Sequence, residues 1–103
     1  MTTTDPAVSI VVPVRNEAGN IAPLVEEIAA AADGQWPFEV VYVNDGSNDT
    51  TDDELRSLMA RYPWLRRVRH KQSCGQSAAV RSGVTAARAP LVVTLDGDGQ
   101  NNP

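Results

Sequence analysis

The segment Asp96-Gly97-Asp98-Gly99-Gln100 follows an apolar run, Leu91-Val92-Val93-Thr94-Leu95. Where a strand ends in this way, carboxylates at i and i+2 fall on one side and both can face a single ligand. Mg²⁺ and Mn²⁺ prefer oxygen donors and are commonly shared between one or two carboxylates and substrate phosphates, so the spacing suits a metal-diphosphate site. Asp and Gly are also ordinary turn formers, and taken alone such a stretch is more often a solvated turn. Its chemistry depends on what else the fold delivers to the same place.

The elements that must do this are legible as alternating hydrophobic patterns. Residues 8–14 are β-branched and nearly all apolar, as in a strand buried on both faces. Beyond the polar stretch Arg15-Asn16-Glu17-Ala18-Gly19, Ile21, Leu24, Val25 and Ile28 recur at helical spacing, with Asn20 placed to cap, Pro23 in the first turn and Gly34 as the stop. A second strand is expected over 38–44, followed by the turn-rich residues 45–49. Thr51-Asp52-Asp53-Glu54 matches a capping box for a helix with Leu55, Leu58, Met59 and Tyr62 on one face, ended by Pro63. A short third strand is expected over 65–70. A third helix, from about 75 to 88, presents Val80, Gly83, Val84 and Ala87 as a stripe small enough to lie close against a sheet. The apolar run 91–95 makes the fourth strand.

Strands alternating with helices predict an α/β fold, with a parallel sheet and right-handed crossovers. The expected spatial order is 3-2-1-4, with three crossover helices. Two crossovers then run one way from the first strand and one runs back, which opens a crevice between strands one and four at their carboxyl ends. The loops after strands one, two and four bring Arg15-Asn16-Glu17, Asp45-Gly46-Ser47 and Asp96-Gly97-Asp98 to that crevice. Two helices are expected to cover one face of the sheet and only the third helix the other, so that one face lacks its full cover, a surface for self-association.

Composition sets bounds. A chain of 103 residues that is 42% hydrophobic and 21% charged is one globular domain or a piece of one. A net charge of −4 and a pI near 4.7 exclude a nucleic-acid-binding module, whose mark is a basic footprint. Arg61, Arg66, Arg67, Arg69, His70 and Lys71 crowd one stretch; they read as a solvated strand edge, with contact to an anionic ligand or lipid headgroup as the alternative. The lone Cys74 cannot close an intrachain disulfide, fits a reducing cytoplasm and reads as a small packing residue. His70 reads as structural, because it has no ligand partner at metal-site spacing. The N-terminal residues lack the basic region of a signal peptide, and no apolar run approaches the roughly 18 residues of a membrane span.

Four ordered motifs, 9–17 (SIVVPVRNE), 43–51 (VNDGSNDTT), 75–83 (GQSAAVRSG) and 95–103 (LDGDGQNNP), together resemble the family 2 glycosyltransferases of the GT-A fold. The nearest branch resembles the dolichol-phosphate mannosyltransferases and bacterial polyprenyl-phosphate sugar transferases. The resemblance implies that residues 1–103 are the N-terminal, Rossmann-like, donor-nucleotide-binding part of such a domain. The catalytic base and the acceptor-binding half then lie beyond Pro103, and no catalytic residue is assigned within the segment.

By the same resemblance, Pro13, Arg15, Glu17, Val43, Asp45, Gly75 and Asp96 lie at the donor nucleotide, with Asp45 accepting an N–H from the base edge. Asp96, Asp98 and Gln100 are the implied ligands of Mg²⁺ or Mn²⁺. Read from the residues alone, Arg15 to Glu17 remain a solvated capping loop and Asp45 an Asx-type turn. Asn44 stands where the family often has a first Asp, and Gly97 and Gly99 replace bulkier residues, giving a looser backbone. The implied reaction is metal-dependent, inverting transfer of a sugar from GDP-mannose or a UDP-sugar to a polyprenyl phosphate. Transfer to a polysaccharide or glycan hydroxyl is the alternative acceptor, and a non-catalytic nucleotide-binding or scaffold domain is the alternative of another class. A cytoplasmic location, at the membrane face for a longer protein anchored by its C-terminal part, goes with the first reading.

Overall fold

The computed structural model describes residues 5–32, 34–35 and 37–95. Seven elements alternate along the chain: β1 (Val8–Val14), α1 (Ile21–Ala32), β2 (Phe38–Asp45), α2 (Thr51–Arg61), β3 (Leu65–His70), α3 (Gln76–Ala86) and β4 (Leu91–Thr94). The strands form one parallel sheet in the expected order, β3-β2-β1-β4. After β4 the ladder continues for one more bond, Leu95 N to Val11 O (2.9 Å).

Side chains on the central strands alternate between two cores. On one face Val12, Val14, Val40 and Tyr42 pack with Ile21, Val25 and Ile28 of α1 and Leu55 and Leu58 of α2. On the other, Val11, Val41 and Val43 meet Ala79 of α3. That face is thinner because α3 lies almost on the sheet: a Cβ at Gly83 would overlap Val11 Cγ1 and press on Val43 Cγ2. The buried stripe of α3 is therefore Ala79 and Gly83: Gly83 faces the sheet as expected, Ala79 takes the place expected for Val80, and Val84 is exposed. On α2, Met59 turns outward, while Tyr62 lies past the helix end and packs on Trp64.

The start of α2 also differs from a capping box. Thr51 is already helical and Thr50 makes no side-chain cap. Asp49 Oδ1 takes the Thr51 N–H (2.9 Å), and Glu54 reaches across to Gly19 N (2.9 Å). The Asp49 bond is local, two residues along the chain, whereas the Glu54 carboxylate ties α2 to the β1–α1 loop, a contact that a local motif does not encode.

The basic stretch on edge strand β3 is partly paired. Arg67 meets Asp52 (2.6 Å) and Arg66 meets Glu39 (2.7 Å). Glu39 is buried and also takes Ser9 Oγ (2.6 Å), Arg88 N (2.7 Å) and Arg88 Nε (3.1 Å), joining β1, β2, β3 and the segment entering β4 at the amino ends of the strands. Uncovered apolar surface lies not on the one-helix face, as expected, where Val92 packs with the core under α3, but on the two-helix face at edge strand β4, where Leu91 and Val93 are exposed beside Val8 and Ile10. Among the described residues no helix is long and apolar enough to cross a membrane.

Candidate functional site

At the carboxyl ends of β1 and β2 the chain leaves two loops that are bonded to each other. Asn16, in the left-handed region at φ 55°, donates its N–H to Ser47 Oγ (2.8 Å), and its Oδ1 accepts from Asn48 N (2.9 Å). Glu17 N donates to Thr51 Oγ1 (2.9 Å) and Ala18 N to Asp49 Oδ2 (3.4 Å). The hydroxyl of Thr51 and the carboxylate of Asp49, which it holds below the usual carboxylate range, thus brace the β1–α1 loop from beneath.

Asn44 explains its own departure from the family pattern. Its Oδ1 accepts from Ser47 N (3.2 Å), closing the turn after β2, and its Nδ2 donates to Asp52 Oδ1 (3.1 Å). An aspartate there would set two carboxylates against each other.

Asp45 organises a third loop. It is nearly buried, and its two oxygens accept four bonds: Oδ1 from Cys74 N (2.8 Å) and His70 Nδ1 (2.8 Å), Oδ2 from Ser73 Oγ (2.9 Å) and Gly75 N (3.0 Å). Burial alone would raise its pKa, but these donors outweigh it and hold the carboxyl at about 2. An ionised carboxylate only accepts, so Nδ1 of His70 carries the hydrogen, while Nε2 lies 2.8 Å from Ser82 Oγ on α3. Gly46 makes room for this closure. At φ +70° it turns the chain, and a Cβ there would overlap the backbone of Ser73 and Gln72.

The three loops enclose a cleft of ≈ 310 Å³ lined by Pro13, Val14, Arg15, Glu17, Asp45, Ser73, Gly75, Gln76 and Ala79. That is the lower end of small-molecule pockets. Of the residues expected at a nucleotide, Pro13, Arg15, Glu17, Asp45 and Gly75 meet here. Val43 does not line the cleft; it is fully buried beneath α3. Asp96, Asp98 and Gln100 lie outside the described residues. Gln76 and Ala79 lie in the motif 75–83, though the resemblance places neither at the nucleotide, and Ser73 carried no sequence signal, because the β3–α3 loop is drawn in by a carboxylate 28 residues earlier. His70, expected to have no ligand partner, sits against Asp45, and Cys74, expected to pack, is exposed.

A second depression of ≈ 370 Å³ lies at the opposite end of the strands, among Pro6, Pro37, Phe38, Pro63, Trp64 and Arg88 around Glu39. There Phe38 and Tyr62 both stack on Trp64 at under 5 Å between centroids, 4.8 and 4.9 Å.

Known proteins share this arrangement. A mannosyltransferase from Pyrobaculum calidifontis, solved in complex with GDP-Man and Mn²⁺, superposes with a TM-score of 0.79 at 29% identity, over 93% of this chain and 28% of that one. TarS of S. aureus (residues 1–349) gives 0.74 at 24% identity over 88% of this chain and 27% of that one, a likeness of fold. The four-stranded sheet with three crossover helices is accordingly the Rossmann-like part of a GT-A fold. Dodecaprenyl-phosphate galacturonate synthase of Rhizobium johnstonii is 42% identical over 92% of this chain and 29% of its own length. Undecaprenyl-phosphate 4-deoxy-4-formamido-L-arabinose transferase of Aeromonas hydrophila is 37% identical over 93% and 30%. The chain thus spans about three-tenths of the length of these relatives. The model of glycosyl transferase family 2 matches residues 9–103, and the chain belongs to that family.

Proposed function

We propose that this chain binds a nucleoside-diphosphate sugar, GDP-mannose or a UDP-sugar, for transfer to a polyprenyl phosphate. The observation that carries the reading is the cleft itself: Pro13 of β1, Arg15 and Glu17 of the loop after it, Asp45 at the end of β2 and Gly75 of the β3–α3 loop line one pocket at the carboxyl ends of parallel strands. Arg15 and Glu17 border the base and ribose. Asp45 has no spare lone pair, so a base N–H takes the place of one present donor, and the exposed Ser73 hydroxyl is the one released at least cost. The relatives named for polyprenyl-phosphate substrates support the lipid acceptor.

Asp96, Asp98 and Gln100 offer only oxygen donors, which fits Mg²⁺ or Mn²⁺. The β4 ladder, ending at Leu95 N to Val11 O, carries the residue before Asp96 alongside β1. When bound, such a cation supplies charge neutralisation to a leaving diphosphate. A single displacement on an α-linked donor inverts the anomeric carbon. The phosphate of a polyprenyl phosphate, with a second pKa of about 6, is already largely ionised at neutral pH, so this acceptor needs little from a general base.

Calorimetry with GDP and UDP, with and without Mn²⁺, tests donor binding. We expect Mn²⁺-dependent binding that Asp98→Asn abolishes while far-ultraviolet circular dichroism is unchanged. A folded sample that binds neither nucleotide in either condition favours the scaffold reading, and full affinity in Asp98→Asn removes the metal assignment. In a membrane fraction containing the protein, transfer to polyprenyl phosphate in preference to a free glycan is expected; the reverse preference favours a hydroxyl acceptor.

A further inference from the structure

Asp45, His70 and Cys74 offer a carboxylate oxygen, an imidazole nitrogen and a thiol sulfur that all lie within 4.8 Å of one another. Local sequence gives no hint of this set, since 25 residues separate Asp45 from His70; the parallel register of β2 and β3 brings them together, pairing Asp45 with His70 directly. We propose that these three side chains form a binding site for a borderline-soft divalent cation of the Zn²⁺ class, with water in the fourth position.

The donor set selects the ion. A sulfur and a nitrogen beside one oxygen suit Zn²⁺ or Co²⁺ and are poor ligands for Mg²⁺ or Mn²⁺. Ligand atoms around a tetrahedral Zn²⁺ stand about 3.4–3.6 Å apart. The 2.8 Å contact between His70 Nδ1 and Asp45 Oδ1 must therefore open by less than about one ångström, and the Cys74 side chain must swing inward by up to about 1.4 Å from separations of at most 4.8 Å. Cys74 is exposed and gives up only a weak bond to Gln72 O (3.4 Å), so the thiol is free to move and the ion has an open route.

The surroundings already hold the ligands in place. Metal-ligating histidines nearly always donate their other ring N–H to an oxygen, and Ser82 Oγ stands 2.8 Å from His70 Nε2. On binding, Nδ1 gives its hydrogen up, Nε2–H donates to Ser82, and the Cys74 thiol releases its proton to solvent. Asp45 keeps its bonds from the N–H groups of Cys74 and Gly75, and, with the cleft empty, that from Ser73 Oγ, which fix the carboxylate for coordination. The bound ion ties the end of β2 to the β3–α3 loop and so clamps one wall of the cleft.

The probe is Co²⁺, titrated into the 103-residue chain under anaerobic conditions and followed by absorption. The expected result is a near-ultraviolet thiolate-to-cobalt charge-transfer band with intense visible bands of a four-coordinate ion, saturating at one ion per chain and bleached by Zn²⁺. Cys74→Ser, a conservative change at an exposed position, loses the charge-transfer band with unchanged circular dichroism. His70→Gln loses the four-coordinate visible bands, and Asp98→Asn retains the whole spectrum. Absence of a charge-transfer band in the parent chain, its persistence in Cys74→Ser, or its loss in Asp98→Asn overturns the proposal.

Discussion

At the scale of single residues, two buried polar groups on β2 have opposite fates. The Asp45 carboxylate has four donors. The hydroxyl of Tyr42, three residues earlier and fully buried in the core under α1 and α2, has no hydrogen-bond partner among the described residues. Burial also pushes its pKa well above the usual tyrosine range. An unpartnered buried hydroxyl costs about 1–3 kcal/mol, while the ring contributes its full packing. Tyr42→Phe is therefore expected to raise stability by about 1 kcal/mol, read as a higher urea midpoint with an unchanged slope; a lower midpoint would show that the hydroxyl has a partner, such as an ordered water. The sequence announces Asp45 as a polar residue closing an apolar strand, yet its partners were not legible there. His70, Ser73 and Cys74 become its neighbours only through strand register and the passage of a distant loop over Gly46. Asn44 is similar: its departure from the family pattern is visible, but the reason, a bond to Asp52, is tertiary.

At the scale of elements, the hydrophobic period sufficed for type and order. All seven elements fall where the period-two and helical patterns place them, alternation and crossover handedness imply the parallel sheet, and the observed order β3-β2-β1-β4 is the one expected here among those that these rules allow. The phase of α3 did not follow. Its stripe of small residues is nearly continuous: Gly83 lies on the expected stripe, but only contact with the core of Val11 and Val43 shows that Ala79, not Val80 and Val84, accompanies it. Two opposed effects decide what Gly83→Ala does. Alanine in place of glycine inside a helix gains about 1 kcal/mol from propensity. A methyl that overlaps Val11 Cγ1, on a stiff β-branched side chain in a buried strand, costs about 1–3 kcal/mol and lifts α3 away. Gly83→Ala is thus expected to destabilise by about 1 kcal/mol, whereas Thr85→Ala, exposed on the same helix, is neutral or mildly stabilising. Thermal unfolding of the two variants checks the comparison. Equal gains in both would mean that α3 does not sit so close.

At the scale of the whole molecule, two buried carboxylates fasten opposite ends of the sheet. Glu39, at the amino end of β2, would be raised by burial, but bonds from Ser9, the Arg88 N–H, Arg66 and the Arg88 side chain bring its pKa from 4.5 to about 2. Asp45, at the carboxyl end, falls from 3.8 to about 2 through its own set of donors. Both groups bind protons more weakly in the folded chain than in the unfolded one. Their stabilisation is complete above the unfolded values and lost as pH falls from about 4.5 toward 2. The two lie six residues apart on one strand, about 20 Å, and share no partners, so their contributions should add. Glu39→Gln is expected to cost about 2 kcal/mol at neutral pH, less than for a fully buried pair because Arg66 and Arg88 remain partly hydrated. It should also flatten the acid limb. Urea midpoints between neutral and strongly acidic pH for the parent chain, Glu39→Gln, Asp45→Asn and the double variant measure this. Each single variant should remove part of the acid dependence and the double variant the sum of both. An acid limb of unchanged steepness in Glu39→Gln would assign the loss of stability to other carboxylates, and a double variant no flatter than either single one would mean that the two ends of the sheet unfold as one coupled network.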